Sequence, residues 1–167
     1  MAFYFYSIEQ SALSTWLRES PSPLVFPTIL LLHTIGMGFL AGTNAAIDLR
    51  VLGIASKMRI APMQKFFPLM WSAFWVNAVT GVALIIAYPT QALTNPVFYI
   101  KLAFIALAVV NKRMIRNEIF RDPNVAQRPV SRKWKILAST SLFFWAGAIT
   151  AGRLLPYTSR QLLTNSY

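Results

Sequence analysis

A long uncharged stretch of the chain contains its only histidine. No residue from Leu24 to Ile47 is charged; His33 lies within this run, and Asp48 directly follows it. A neutral imidazole is the usual protein ligand of haem iron and of copper, so His33 is a candidate ligand of haem b or copper. The alternative is a buried histidine that is hydrogen-bonded to a neighbouring carbonyl or hydroxyl group.

The single histidine limits which metal centres one chain can build. A haem with two histidine ligands from the same chain is excluded, and Met37, one turn from His33 on the same helix, cannot supply the opposite ligand. Three arrangements remain for a haem: five-coordinate iron, a second ligand from another subunit, or His33 paired with its counterpart across a dimer. The chain has no cysteine, which excludes disulfides, thiolate metal sites and iron–sulfur ligation.

Two basic residues are expected in the same leaflet as His33. Lys101 begins a later apolar segment and Arg153 ends another, and both ends fall on the side of the membrane where His33 lies. They are candidates to bind haem propionates, a quinone headgroup or an acidic partner. Alternatively, both side chains extend to the lipid headgroups without a ligand.

Glycines and polar residues share the helix of His33. Gly36, Gly38 and Gly42 let another helix, or a flat cofactor, approach closely, and we include Gly36 among the candidate cofactor contacts. Asn44 falls on the same helical face as His33. It is expected to serve as a structural polar group, as is Asn77 in the second span.

Asp48 is expected to form a structural ion pair that ties the first membrane helix to the third or fourth. A carboxyl group that carries protons is the functional alternative. Its candidate basic partners at a similar depth are Lys112, Arg113, Arg116 and Arg132.

Most catalytic motifs are missing from the chain. It has no H-E-x-x-H, no glycine-rich phosphate loop, no serine–histidine–acid arrangement and no pair of acids in one span. We therefore predict a protein that is not an enzyme. The net charge of +11 does not indicate nucleic-acid binding, because the basic residues flank apolar runs, a pattern typical of membrane topology.

The composition predicts one all-α membrane domain over residues 1–167. Hydrophobic residues make up 56% of the chain, charged residues only 13%, and the mean hydropathy is +0.49. We expect an integral membrane four-helix bundle with an N-terminal interfacial amphipathic helix, the last span being stopped by Pro156. The interfacial helix is predicted at about 7–19, and the spans at about 24–50, 66–88, 96–117 and 134–155.

The distribution of basic residues predicts the orientation. Of the 16 lysines and arginines, twelve lie in the two connectors on one side of the predicted membrane and four on the other. The positive-inside rule then places both termini on the non-cytoplasmic side.

Together with His33, three short segments carry a resemblance to known proteins: Asp48-Leu49-Arg50-Val51-Leu52-Gly53, Thr80-Gly81 and Asn95-Pro96-Val97-Phe98-Tyr99-Ile100-Lys101. The chain resembles an uncharacterised family of small bacterial four-helix inner-membrane proteins, which implies a multi-pass protein of the bacterial inner membrane. More distantly, its architecture is similar to four-helix cytochrome b and copper-resistance D-type membrane proteins. One histidine, where a two-haem cytochrome needs four, leaves His33 as the only implied ligand.

Three functions follow as hypotheses. The first is a small membrane subunit of a respiratory or metal-handling system that binds haem b or copper through His33. The second is a cofactor-free structural or assembly subunit of a larger membrane complex, and the third a small oligomeric proton-coupled transporter. In each case the partners are the lipid bilayer and either copies of the chain or other subunits, and not nucleic acid.

Overall fold

The structure, a computed structural model, describes residues 7–22, 24–54, 61–119 and 131–164. These residues are helical, with no β-strand among them, which confirms the all-α prediction. A 3-10 helix, Ala61–Lys65, leads directly into the third α-helix. The α-helices are α1 Ala12–Glu19, α2 Val25–Leu52, α3 Phe66–Ala87, α4 Pro89–Leu93, α5 Pro96–Ile119 and α6 Arg132–Thr164.

Local sequence explains where α2 ends and α5 begins. Gly53 follows α2 with φ of 94°, a left-handed conformation that glycine adopts without steric cost, and its N–H is donated to the Arg50 carbonyl at 3.1 Å. At the start of α5, Asn95 Oδ1 accepts the N–H of Val97 at 3.0 Å. Pro96 stands at the first helical position, where its missing N–H is harmless.

The sequence predicted that the last helix stops at Pro156. In the structure it continues to Thr164. A proline inside a helix removes one backbone hydrogen bond and strains the preceding turn. Here the side chain of Asn95 supports α6 on both sides of the proline: its Nδ2 donates to the Leu155 carbonyl at 3.4 Å and to Thr158 Oγ1 at 2.8 Å. These contacts come from another helix, so the local sequence did not predict them.

The four long helices pack around one apolar interior. The most extensive contacts join α5 to α6 and α2 to α3, and α2 also packs against α6. At the α5–α6 contact the ring of Phe104 lies directly over Gly147: a Cβ at Gly147 would be 2.8 Å from Phe104 Cζ. The buried core includes Leu40, Ile47, Val51, Phe67, Met70, Ala108, Ile115, Ala138 and Trp145.

Two helical segments are long and apolar enough to cross a membrane. They are Val25–Leu52, with mean hydropathy 1.7, and Pro62–Ala87, with mean hydropathy 1.8. The last two helices are also long, with 24 and 33 residues, but they carry more charge and do not meet the same test. The predicted set of four spans is therefore not confirmed and stays a prediction.

The first helix packs on the bundle through Ser14 and Leu17. Ser14 is fully buried and donates its hydroxyl to the Ala87 carbonyl at 3.3 Å, while Leu13 and Trp16 are 54% and 53% exposed. The predicted helix over 7–19 is divided, since residues 7–9 form a separate helical turn. Leu13 and Trp16 therefore face outward, away from the protein, whereas Leu17 packs inward.

Candidate functional site

A cavity of about 510 Å³ lies between α2, α3, α5 and α6. Ligand sites in proteins commonly measure roughly 300–1,000 Å³, with mainly apolar walls and a few polar groups. The cavity has this composition. Polar atoms on its described walls come from the side chains of His33, Asn77, Tyr88, Gln91, Lys101 and Trp145.

The imidazole of His33 is oriented by Thr80. His33 Nδ1 lies 3.0 Å from Thr80 Oγ1, which itself lies 2.6 Å from the Val76 carbonyl oxygen. We assign the hydroxyl proton to the shorter contact, with the Val76 carbonyl, and in this assignment Thr80 Oγ1 accepts the hydrogen of His33 Nδ1. Nε2 is then the unprotonated nitrogen of the ring, and within the described residues it has no hydrogen-bond partner.

Close packing of α2 on α3 positions His33. A Cβ at Gly36 would lie 3.3 Å from the Ala73 carbonyl oxygen and from the Asn77 amide nitrogen, so glycine allows the two backbones to approach. One turn away, Asn77 Nδ2 donates to the His33 carbonyl at 2.8 Å. Gly81 makes room for the ring, because a Cβ there would be 3.3 Å from His33 Cε1. Gly36 thus serves the helix contact and does not line the cavity.

Lys101 enters the same cavity from α5. Its side chain passes over Gly152, where a Cβ would lie 3.4 Å from Lys101 Cε, and no carboxylate of the described residues forms an ion pair with it. Pro156, which has no N–H, deprives the Gly152 carbonyl of its helical donor. Both residues line the cavity. Gly152 lies four positions before Pro156, and this pattern was a sequence signal for the wall that our sequence reasoning missed.

The charges of the cavity favour an anionic or oxygen-rich ligand. Its walls contain one lysine, Lys101, and the imidazole of His33, but no acidic side chain from the described residues. No group of three or more metal-ligating residues occurs in the described part of the chain. An ammonium beside the imidazole repels a bare metal ion.

No protein-family model, curated protein or solved structure matches the chain. The function is therefore argued from the geometry of the site.

Arg153 and two of the predicted glycines lie outside the cavity. Arg153 is exposed on α6 and does not line the cavity. Gly38 and Gly42 are exposed on α2, and a Cβ at either would meet nothing within 4 Å. They border a shallow groove of about 230 Å³ on the outer face of α2. The G-x-x-x-G therefore faces away from the bundle.

The end of the cavity at the α3–α4 junction is braced by the N-terminal segment. Tyr88, a lining residue, contacts the Arg18 guanidinium at 5.9 Å and the Phe26 ring at 5.7 Å. Arg18 forms an ion pair with Glu9 at 3.2 Å, and Glu9 accepts a hydrogen bond from Thr90. This network fastens α1 over α4.

A second polar region lies further along α2. Asp48 follows His33 by fifteen residues, about 22 Å along the helix axis. Among the basic partners offered by the sequence, Asp48 pairs with Lys112: Oδ1 and Nζ are 3.0 Å apart, and the side chains are 0% and 5% exposed. Asn44 is buried beside them, its Nδ2 donating to the Leu40 carbonyl at 2.7 Å. The ion pair ties α2 to α5.

Proposed function

We propose that the chain is a multi-pass integral membrane protein that binds haem b in the cavity between α2, α3, α5 and α6, as a small subunit of a respiratory or metal-handling system. On this proposal it resides in a bacterial inner membrane with both termini on the non-cytoplasmic side. The bilayer and further copies or subunits are its partners.

Several features support the membrane part of the proposal. Beyond the two apolar segments, α5 and α6 measure about 36 and 50 Å at 1.5 Å per residue, longer than a bilayer core of about 30 Å. The outward side of α5 exposes Leu107 and Val110, whereas Lys112 is buried in the bundle. An apolar outer surface, with charged side chains such as Lys112 kept inside the bundle, suits lipid surroundings.

The orientation of His33 is the single observation that carries the haem assignment. The Nδ1–H···Thr80 hydrogen bond leaves Nε2 available as a ligand on the cavity side, and a hydrogen bond of this kind to the other ring nitrogen is the usual support of a metal-bound histidine. Lys101 would bind a propionate, and the apolar walls would enclose the porphyrin. Haem would supply one-electron transfer.

Haem b is preferred to copper for an electrostatic reason. A copper ion would carry its positive charge next to Lys101 with one imidazole and the Met37 thioether as the available ligands on the cavity wall. Haem brings two carboxylates that balance the ammonium.

One observation favours the second candidate, a cofactor-free assembly subunit. The exposed Gly38 and Gly42 leave an unfilled groove on α2 that matches the spacing of close helix pairs in membranes. Proton-coupled transport has weaker support, because the Asp48 carboxylate is held by Lys112.

Haemin titration of the detergent-purified protein tests the proposed function. The wild type is expected to give a Soret band at one equivalent, and His33→Ala is expected to lose it, because the only imidazole is removed. Lys101→Met should weaken haemin binding roughly 10- to 100-fold, because a hydrogen bond to a charged group contributes about 1.5–3 kcal/mol. Arg153→Ala, outside the cavity, is the control and should bind as the wild type.

Two outcomes would contradict the haem proposal. One is a colourless protein that binds haemin no more tightly than His33→Ala does, and the other is tight binding of copper that depends on His33. Co-purification of the colourless protein with a partner that is lost in Gly38→Leu would favour the assembly subunit instead.

Thr80 is predicted to act on the ligand through His33. Thr80→Val removes the oxygen that accepts the Nδ1 hydrogen, so the ring loses its fixed orientation, and haemin affinity is expected to fall about 10- to 100-fold. Thr80→Ser retains the hydroxyl and should bind nearly as the wild type does. Equal affinities for the valine and serine variants would refute the role of this hydrogen bond.

A further inference from the structure

A small void lies deep in the bundle between the ion pair and the ligand cavity. Its volume is about 20 Å³, and its wall contains the buried polar residues Asn44, Lys112 and Trp145, contributed by α2, α5 and α6, and the half-buried Trp71 of α3. Apolar side chains complete the wall. The three polar residues are at least nine-tenths buried.

Polar atoms of these residues lack partners. Asn44 Oδ1 and Trp145 Nε1 are buried and have no hydrogen bond within the described chain. The Lys112 ammonium has three hydrogens, and its one acceptor among the described residues is Asp48 Oδ1. An unpaired acceptor, an unpaired donor and a cation with hydrogens to spare therefore border the same void. Buried polar groups without partners are rare and call for an explanation.

We propose that this void is a binding site for one water molecule, which accepts hydrogen bonds from the Trp145 indole and the Lys112 ammonium and donates one to Asn44 Oδ1. A site needs roughly 10–15 Å³ and two to four polar partners to hold a water, and the void meets both conditions. The inference is independent of the ligand in the larger cavity.

A cation is a poorer occupant than water. The ammonium of Lys112 stands in the wall, and the carboxylate of Asp48 is already neutralised by it. The void adjoins the 510 Å³ cavity, since Leu40, Phe74 and Trp145 line both. The ion pair is thereby extended into a polar cluster that reaches the cavity wall.

The hydrogen of the Trp145 indole reports directly on the water. In NMR spectra of the detergent-solubilised protein, its resonance is identified as the one missing from Trp145→Phe. A cross-peak from this hydrogen to water is expected in the wild type and should disappear in Asn44→Leu. Trp75, 63% exposed on the outer face, is the control and should contact detergent only. If Trp145 gives no cross-peak to water, the proposal is overturned.

The thermal midpoint of Asn44→Leu gives a second test. If the site holds a water, leucine removes the acceptor of that water's hydrogen bond, and the midpoint is expected to fall by several degrees. In a dry site it would remove an unpaired acceptor at nearly constant volume and raise the midpoint. A midpoint that rises with sodium chloride, does not rise with choline chloride, and loses this dependence in Asn44→Leu would assign a cation and also overturn the proposal.

Discussion

Asp48→Ala and Lys112→Met are each expected to destabilise the folded protein by about 3–5 kcal/mol. The pair is enclosed by α2, α5 and α6, so either substitution leaves the other charge buried without its counter-ion. Thermal unfolding in detergent, or unfolding by added SDS, measures the loss. A decrease of this size would exceed that from any single surface change in the chain.

The double variant Asp48→Leu/Lys112→Met separates the ion pair from the two side chains. Replacement of both charges by apolar groups is expected to recover most of the loss, because no unpaired charge remains. Lys133–Glu118 is the matched control: the atoms are 2.6 Å apart but the side chains are 60% and 40% exposed. Breaking it should cost less than about 1 kcal/mol. If breaking the buried pair costs no more unfolding free energy than breaking the exposed pair, the buried placement of Asp48 is wrong.

Gly147→Ala is expected to destabilise the bundle by about 1–3 kcal/mol. The added methyl group would stand 2.8–2.9 Å from three carbons of the Phe104 ring, at the most extensive helix contact in the protein. The ring cannot easily withdraw, because it packs against Phe143 and Phe144 at centroid distances of 5.9 and 6.4 Å. Overpacking of this kind forces neighbouring side chains out of their preferred conformations. The free energy of unfolding is the quantity to measure.

The corresponding substitution at Gly42, Gly42→Ala, should have the opposite effect on stability. Gly42 is also inside a helix, but a Cβ there meets nothing within 4 Å, so alanine is expected to stabilise the helix by about 0.5–1 kcal/mol. Gly147→Ala/Phe104→Leu should regain part of the lost stability, since the smaller side chain relieves the overlap. A destabilised Gly42→Ala with an unaffected Gly147→Ala would reverse the roles assigned to the two glycines.

The composition predicted the helical class, and the uncharged apolar runs predicted where α2 and α3 lie. An uncharged apolar run has few alternatives to a helix, and Pro96 and Gly53 mark an end by local chemistry. The continuation of α6 past Pro156 depends on hydrogen bonds from Asn95, some 60 residues earlier in the chain. A contact of such long range leaves no local signal.

Helical periodicity alone could not decide which of several candidate residues face the cavity. Gly36 and Gly38 are two residues apart, about 200° around the helix, so one faces α3 and the other faces outward. The pattern locates two faces of a helix but does not say which one meets the protein. For the same reason Arg153 turned outward while its neighbour Gly152 lines the cavity.

The amphipathic pattern of α1 did not say which of its residues pack on the bundle. A hydrophobic stripe on a helix is usually read as the side that meets the protein or the membrane interior. In this chain Ser14 and Arg18 meet the protein, and Trp16 faces outward.

The fastening of α1 over α4 has a kinetic consequence. Tyr88 lines one end of the cavity and is itself held by Arg18 and Phe26. A molecule that leaves past this end must first displace these contacts, so its residence time depends on how often the N-terminal segment undocks. Dissociation by this route would then be slow even for a weakly held molecule, and loading would be easiest before the segment docks, while the chain is still being assembled.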